Sequence, residues 1–77
     1  MKVYTYAILK DYFDKELLID EPLLTITQLQ QYLQQRNPAA GNILATCRYA
    51  VQNQFVTGEF TIQPGDDIHI IPPSSGG

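Results

Sequence analysis

Two glycines, Gly76 and Gly77, close the sequence behind Pro72-Pro73-Ser74-Ser75, and these are the residues whose types and spacing best suit chemistry. Neither glycine has a Cβ, so their backbone and a terminal carboxylate fit a slot too narrow for any other residue. The prolines fix their own φ angles and hold the segment out from the body. Nearly extended, Pro72 to Gly77 reach roughly 20 Å at about 3.3 Å per residue. These properties describe a carboxylate delivered on a stalk into another protein's active site. A loose Ser/Gly end, the ordinary behaviour of a terminus, suits the same residues.

The remaining reactive side chains are few. His69 is the only histidine and lies between Ile68 and Ile70, pointing away from their face if the segment is a strand. Asp67 shares its face, but one such pair does not make a metal site. Cys47 is the only cysteine, which excludes an internal disulfide, and its setting is that of a small buried hydrophobe. Ser74 and Ser75 have no histidine base near them in sequence, and the glycines form no phosphate cradle. No metal and no bound cofactor are expected, and the domain is not a catalyst by itself.

Charge and hydropathy narrow the partners. Five Lys and Arg residues are scattered through a chain of net charge −3, which argues against nucleic acid. No apolar run approaches the roughly 20 residues that span a bilayer. The start, Met1-Lys2-Val3-Tyr4-Thr5-Tyr6, alternates like a strand and has no signal-peptide core, so a cytoplasmic location is expected.

Positioning the tail falls to a body of 77 residues, 44% of them hydrophobic, which is one small domain. Lys2 to Leu9 reads as a strand, with Val3, Thr5, Ala7 and Leu9 on one face and Tyr4, Tyr6 and Ile8 on the other. Glu16 to Asp20 makes a second strand and closes a hairpin. Thr25-Ile26-Thr27-Gln28 fits a capping box, with Leu24 and Leu29 as its hydrophobic staple. The helix then runs to about Arg36, where Asn37-Pro38 stops it. Ile26, Leu29 and Leu33 form its apolar stripe, and five glutamines cover the remainder. Pro38 to Asn42 reads as a loop. Thr46 to Gln52 is a third strand with Cys47, Tyr49 and Val51 on one face, Phe55-Val56 a very short one, and Asp66 to Ile71 the last. One amphipathic helix among hairpins gives an α+β fold, a mixed sheet with the main helix packed on one face. This is the β-grasp, or ubiquitin-like, plan over residues 1–71, followed by an extended diglycine tail at 72–77.

The segment Pro64-Gly65-Asp66-Asp67-Ile68, and the ending Ile71-Pro72-Pro73-Ser74-Ser75-Gly76-Gly77, resemble the C-terminal third of the small subunit of molybdopterin synthase. That family carries a Gly-Asp turn, a strand and a Pro-Pro-x-x-Gly-Gly ending. Looser matches, in register, are Tyr6-Ala7, Leu24-Thr25 and Ala50-Val51. Gln52-Asn53 departs from the family, which often has Asn directly after Val.

The resemblance implies a sulfur carrier. An ATP-dependent, ubiquitin-activating-type adenylyltransferase would activate the Gly77 carboxylate, and sulfur attack would leave a thiocarboxylate. The tail would enter the large catalytic subunit, in a heterotetramer, and donate sulfur to a cyclic pterin precursor. Gly77 is then the reacting residue and Gly76 the access residue; Pro72, Pro73, Ser74 and Ser75 form the stalk. Carriers for thiazole or cysteine synthesis, and ubiquitin-like protein modifiers, share the diglycine and stay open as alternatives. A single helix covers one sheet face only, so Tyr4, Tyr6 and Ile8, with Phe55 or Phe60 nearby, are the expected partner surface.

Overall fold

The computed structural model describes residues 1–73. Five strands, β1 (Lys2–Thr5), β2 (Glu16–Leu18), β3 (Arg48–Val51), β4 (Gln54–Val56) and β5 (Asp67–Ile71), form one sheet in the order β2-β1-β5-β3-β4. β1 and β5 run parallel; the other neighbours are antiparallel. Helix α1 (Ile26–Arg36), the shorter α2 (Gly41–Thr46) and two 3-10 turns, Ala7–Asp11 and Pro38–Ala40, complete the elements of the described residues. Among the described residues no helix is long and apolar enough to cross a membrane.

The core forms where the apolar stripe of α1 meets one sheet face. Ile26, Leu29 and Leu33 are buried with Val3, Tyr49, Val51, Ile68 and Ile70. Strand alternation explains the sheet half of this set. The start of α1 is capped as the sequence implies: the Thr25 hydroxyl accepts the Gln28 N–H at 3.2 Å. Gln28 answers one residue earlier than a strict capping box, accepting the Leu24 N–H through Oε1 at 2.7 Å. The staple is absent. Leu24 is 61% exposed, and Leu23 packs against the core in its place.

The first strand ends sooner than its alternation suggests. Ala7 takes φ 53°, and the chain turns into the 3-10 helix that carries Leu9 into the core. Alternation beyond Thr5 is accidental, because Leu9 reaches the interior by this turn and not along a strand. Ile8 therefore lies outside β1, on the exposed side of the turn.

The segment after Pro38, expected as a loop, is mostly helical. Pro38 occupies the start of a 3-10 turn, where its missing N–H costs nothing, and Gly41 has an ordinary right-handed helical φ of −56°. Ala40 and Leu44, four residues apart, are buried and hold α2 to the core. Cys47 consequently caps α2 instead of lying within β3.

Two tight turns set the last strands. Gln52 and Asn53 have φ of 53° and 65°, the doubly positive pattern of a two-residue type I′ hairpin, and Val51 pairs with Gln54 across them. Gln63-Pro64-Gly65-Asp66 forms a type II turn: Gly65 has φ 87° and the Asp66 N–H donates to the Gln63 carbonyl at 3.0 Å. The Asp66 carboxylate accepts the Gln63 N–H at 2.8 Å, which satisfies this buried acid.

Candidate functional site

Alternation that buries Val3, Ile68 and Ile70 turns Tyr4 and His69 to the opposite face, which α1 does not cover. The register places Tyr4 directly beside His69 on the neighbouring parallel strand, and His69 faces Ala50 of β3 on its other side. The two rings stack, with centroids 4.7 Å apart and planes 9° from parallel. Tyr6, just past the end of β1, closes over the same imidazole. Its ring lies 5.8 Å away and its hydroxyl is 2.6 Å from His69 Nδ1.

The cluster extends outwards along the sheet. On β4, Phe55 is 59% exposed and pairs with Ala50, and the Arg48 guanidinium lies over its ring at 5.0 Å. On β2, Leu18 stands 78% exposed beside Lys2. Lys2 bonds Glu16 at 3.1 Å, and that carboxylate raises the ammonium's pKa. The face thus has an aromatic centre with an exposed phenylalanine and leucine on its two flanks.

Strand direction joins this face to the tail. Thr5 of β1 pairs with Ile70 of β5, so both strands finish at one end of the sheet. Tyr6 and Ile8 follow β1 there, and Pro72 follows Ile71 there, half-buried, with Pro73 exposed. The expected stalk residues Ser74 and Ser75, and the reacting pair Gly76 and Gly77, lie outside the described residues.

Of the expected face residues, Tyr4, Tyr6 and Phe55 lie on the uncovered side and Ile8 at its tail end. Phe60 does not join them. It is half-buried against the core, and its carbonyl accepts the Ile26 N–H at 3.2 Å, which places it on the helix side. Two participants escaped the sequence reading. Leu18 gave no signal beyond its exposure on a short strand. His69 read as a plain surface residue because its two tyrosine neighbours, Tyr4 on β1 and Tyr6 just past it, lie more than sixty positions away in sequence.

Nothing else among the described residues competes as a reactive centre. No group of three or more His, Cys, Asp or Glu side chains gathers there to hold a metal. The Cys47 thiol donates to the Ile43 carbonyl at 3.1 Å, and burial pushes its pKa up to about 11, so it stays protonated and poorly nucleophilic. Burial likewise raises the Tyr49 phenol, which donates to the Leu44 carbonyl at 3.3 Å.

Comparison with known proteins places this geometry. The model of the ThiS family matches residues 3–77. Among solved structures, the chain is similar to one from the protein–protein complex of subunits 1 and 2 of molybdopterin-converting factor from Helicobacter pylori 26695. The TM-score is 0.70 at 19% identity, with 99% of this chain and 96% of that one covered. The shared architecture is the α+β β-grasp fold that the element order implies.

Proposed function

This chain belongs to the ThiS family, and from that premise we propose that it is a sulfur carrier whose working group is the Gly77 carboxylate, serving molybdopterin synthase. The observation that carries the reading is the reach of the family match, which continues through the diglycine to residue 77. A carboxylate is a poor acyl donor because its oxygen leaves badly. Attack of the Gly77 carboxylate on ATP, in an activating adenylyltransferase, releases pyrophosphate and gives an acyl-adenylate. A sulfur nucleophile then adds to the acyl carbon, AMP departs, and a thiocarboxylate is left. The catalytic residues for these steps belong to the partners.

The uncovered sheet face supplies the docking side of this scheme. The similar solved chain belongs to a two-subunit complex, which supports a large-subunit partner here. Because β1 and β5 finish together, a partner seated on Tyr4, Tyr6 and His69 also stands where Pro72-Pro73 leaves the sheet. One partner then binds the face and receives the tail. The dithiolene is built in that partner's active site from two sulfur transfers to the cyclic pterin precursor.

Reconstitution tests this reading. The carrier charged with sulfur is mixed with the large synthase subunit of the same organism, and pterin sulfuration is followed. The intact chain is expected to support turnover, and a chain lacking Gly77 to support none. Tyr6→Asp should fail to co-purify with the large subunit while keeping its circular dichroism spectrum. Turnover without Gly77 would remove the carrier assignment. Charging of the chain by its adenylyltransferase, with no transfer in the synthase but transfer in thiazole or cysteine synthesis, would move it to another sulfur pathway.

A further inference from the structure

Ala7 is a strained residue at the tail end of the uncovered face. Its φ of 53° lies in the left-handed region, which a residue with a Cβ enters only against a steric cost. Such a conformation persists where its surroundings over-determine it. Two holds are visible, one on each side of Ala7. Downstream, Leu9 is fully buried and its N–H donates to the Tyr6 carbonyl at 3.1 Å. Upstream, the Tyr6 hydroxyl donates to His69 Nδ1 at 2.6 Å, phenol being the better donor of the two neutral groups. That bond ties the first residue past β1 to the middle of β5. We propose that the Tyr6–His69 hydrogen bond is a positioning device, which holds the Tyr6-Ala7-Ile8 turn in the form that a partner meets. The proposal rests on the reading of this face as the partner surface.

The two ends of this bond differ in how firmly they are held. β5 is paired on both sides, with β1 and with β3, and Tyr4 stacks on the His69 ring at 4.7 Å. Tyr6, Ala7 and Ile8 are instead three consecutive exposed residues, and no side chain caps the 3-10 turn that follows them. The anchor is therefore β5 and the tethered piece is the turn. Its place matters because Thr5 pairs with Ile70, so the turn stands beside the end of β5 from which Pro72 departs. A turn left free to move must be ordered when a partner covers it, and that ordering weakens the complex. The tie orders it in the free chain, so that the Tyr6 ring and Ile8 keep a fixed place beside the start of the tail. The Tyr6 hydroxyl then acts through His69 and not by touching the partner.

A double-mutant cycle on the full-length chain separates this role from a direct contact. Tyr6→Phe keeps the ring and loses only the hydroxyl, and His69→Phe keeps a ring against Tyr4 and loses the acceptor. Affinities of the wild type, both single variants and the double variant for the large synthase subunit are measured by calorimetry. Amide order parameters report the turn in each free chain. Each single variant is expected to bind about three- to tenfold more weakly, the range implied by ordering one further side chain on binding. The double variant should bind no more weakly than the singles. The amides of Ala7 and Ile8 should lose order in all three variants while those of β5 stay rigid, a local change that a general loss of stability would not produce. Losses that add in the double variant would show that the hydroxyl and the imidazole meet the partner separately. Order parameters that match the wild type would show that the turn holds without the tie. Either result overturns the proposal. Failure of the wild type to bind, with its turn well ordered, instead removes the docking face on which the proposal rests.

Discussion

Gly58 shows how much one missing methyl group can matter. The Thr27 backbone N–H and hydroxyl both donate to the Gly58 carbonyl, at 3.0 and 2.9 Å. This locks the segment after β4 to the first turn of α1. A Cβ at position 58 would stand 2.4 Å from the Thr27 hydroxyl oxygen. Gly58→Ala should therefore cost about 1–3 kcal/mol, the scale of overpacking. Thr27→Ala in the same chain should recover part of it, and equilibrium denaturation of the two single variants and the double measures this coupling. Cys47 makes a second residue-level test. With its pKa pushed up to about 11, the folded protein should alkylate slowly at mildly alkaline pH, whereas the denatured chain should react readily above about pH 8.5, where a free thiol ionises. The raised pKa also fixes the sign of its effect on stability, which is full below the unfolded value and declines as pH rises above it. Equal alkylation rates in the two states would show that burial does not protect the thiol. Cys47 reads in sequence as a small buried hydrophobe within a strand; it is instead half-buried at the end of α2, a place hidden because Pro38 and Gly41 read as loop residues.

At the scale of elements, α1 was the most legible part of the chain because its signals agree. Thr25 caps it, Asn37-Pro38 ends it, and Ile26, Leu29 and Leu33 recur at helical spacing. Replacing fully buried Leu29 by Ala should cost about 2–5 kcal/mol. The total stability of so small a domain lies near about 5 kcal/mol, so the variant would be marginal or unfolded. An unchanged denaturation midpoint would contradict the packing described here. Thr25→Ala removes only the cap and should cost about 0.5–2 kcal/mol. Elements became illegible where tertiary packing overrides local pattern. Alternation from Lys2 to Leu9 resembles one strand, yet Ala7 at φ 53° breaks it, and Leu9 is buried from a 3-10 turn. The hairpin at Gln52-Asn53 was visible as a turn, but its doubly positive φ angles follow from the two-residue connection between β3 and β4.

Across the whole molecule, strand order was the information the sequence withheld. Periodicity tells which face of a strand is buried and nothing about its neighbour. Tyr4 meets His69 only because β1 and β5 pair in parallel, and from that pairing follow the aromatic centre of the face and the common end at which the tail departs. The diglycine reading, by contrast, rests on residue types and not on contacts, and its role is the proposal that remains to be tested. Whether this carboxylate carries sulfur is decided by intact-mass spectrometry. The full chain is incubated with its adenylyltransferase, ATP and a sulfur source, beside a chain extended by one residue after Gly77 and a Gly76→Ala chain. The full chain is expected to show an ATP-dependent gain equal to the exchange of one oxygen for one sulfur. No gain is expected in the extended chain, a reduced yield in Gly76→Ala, and full yield in Ser74→Ala and Ser75→Ala. An unchanged mass in the full chain, or the same gain in the extended chain, would show that the Gly77 carboxylate does not carry sulfur.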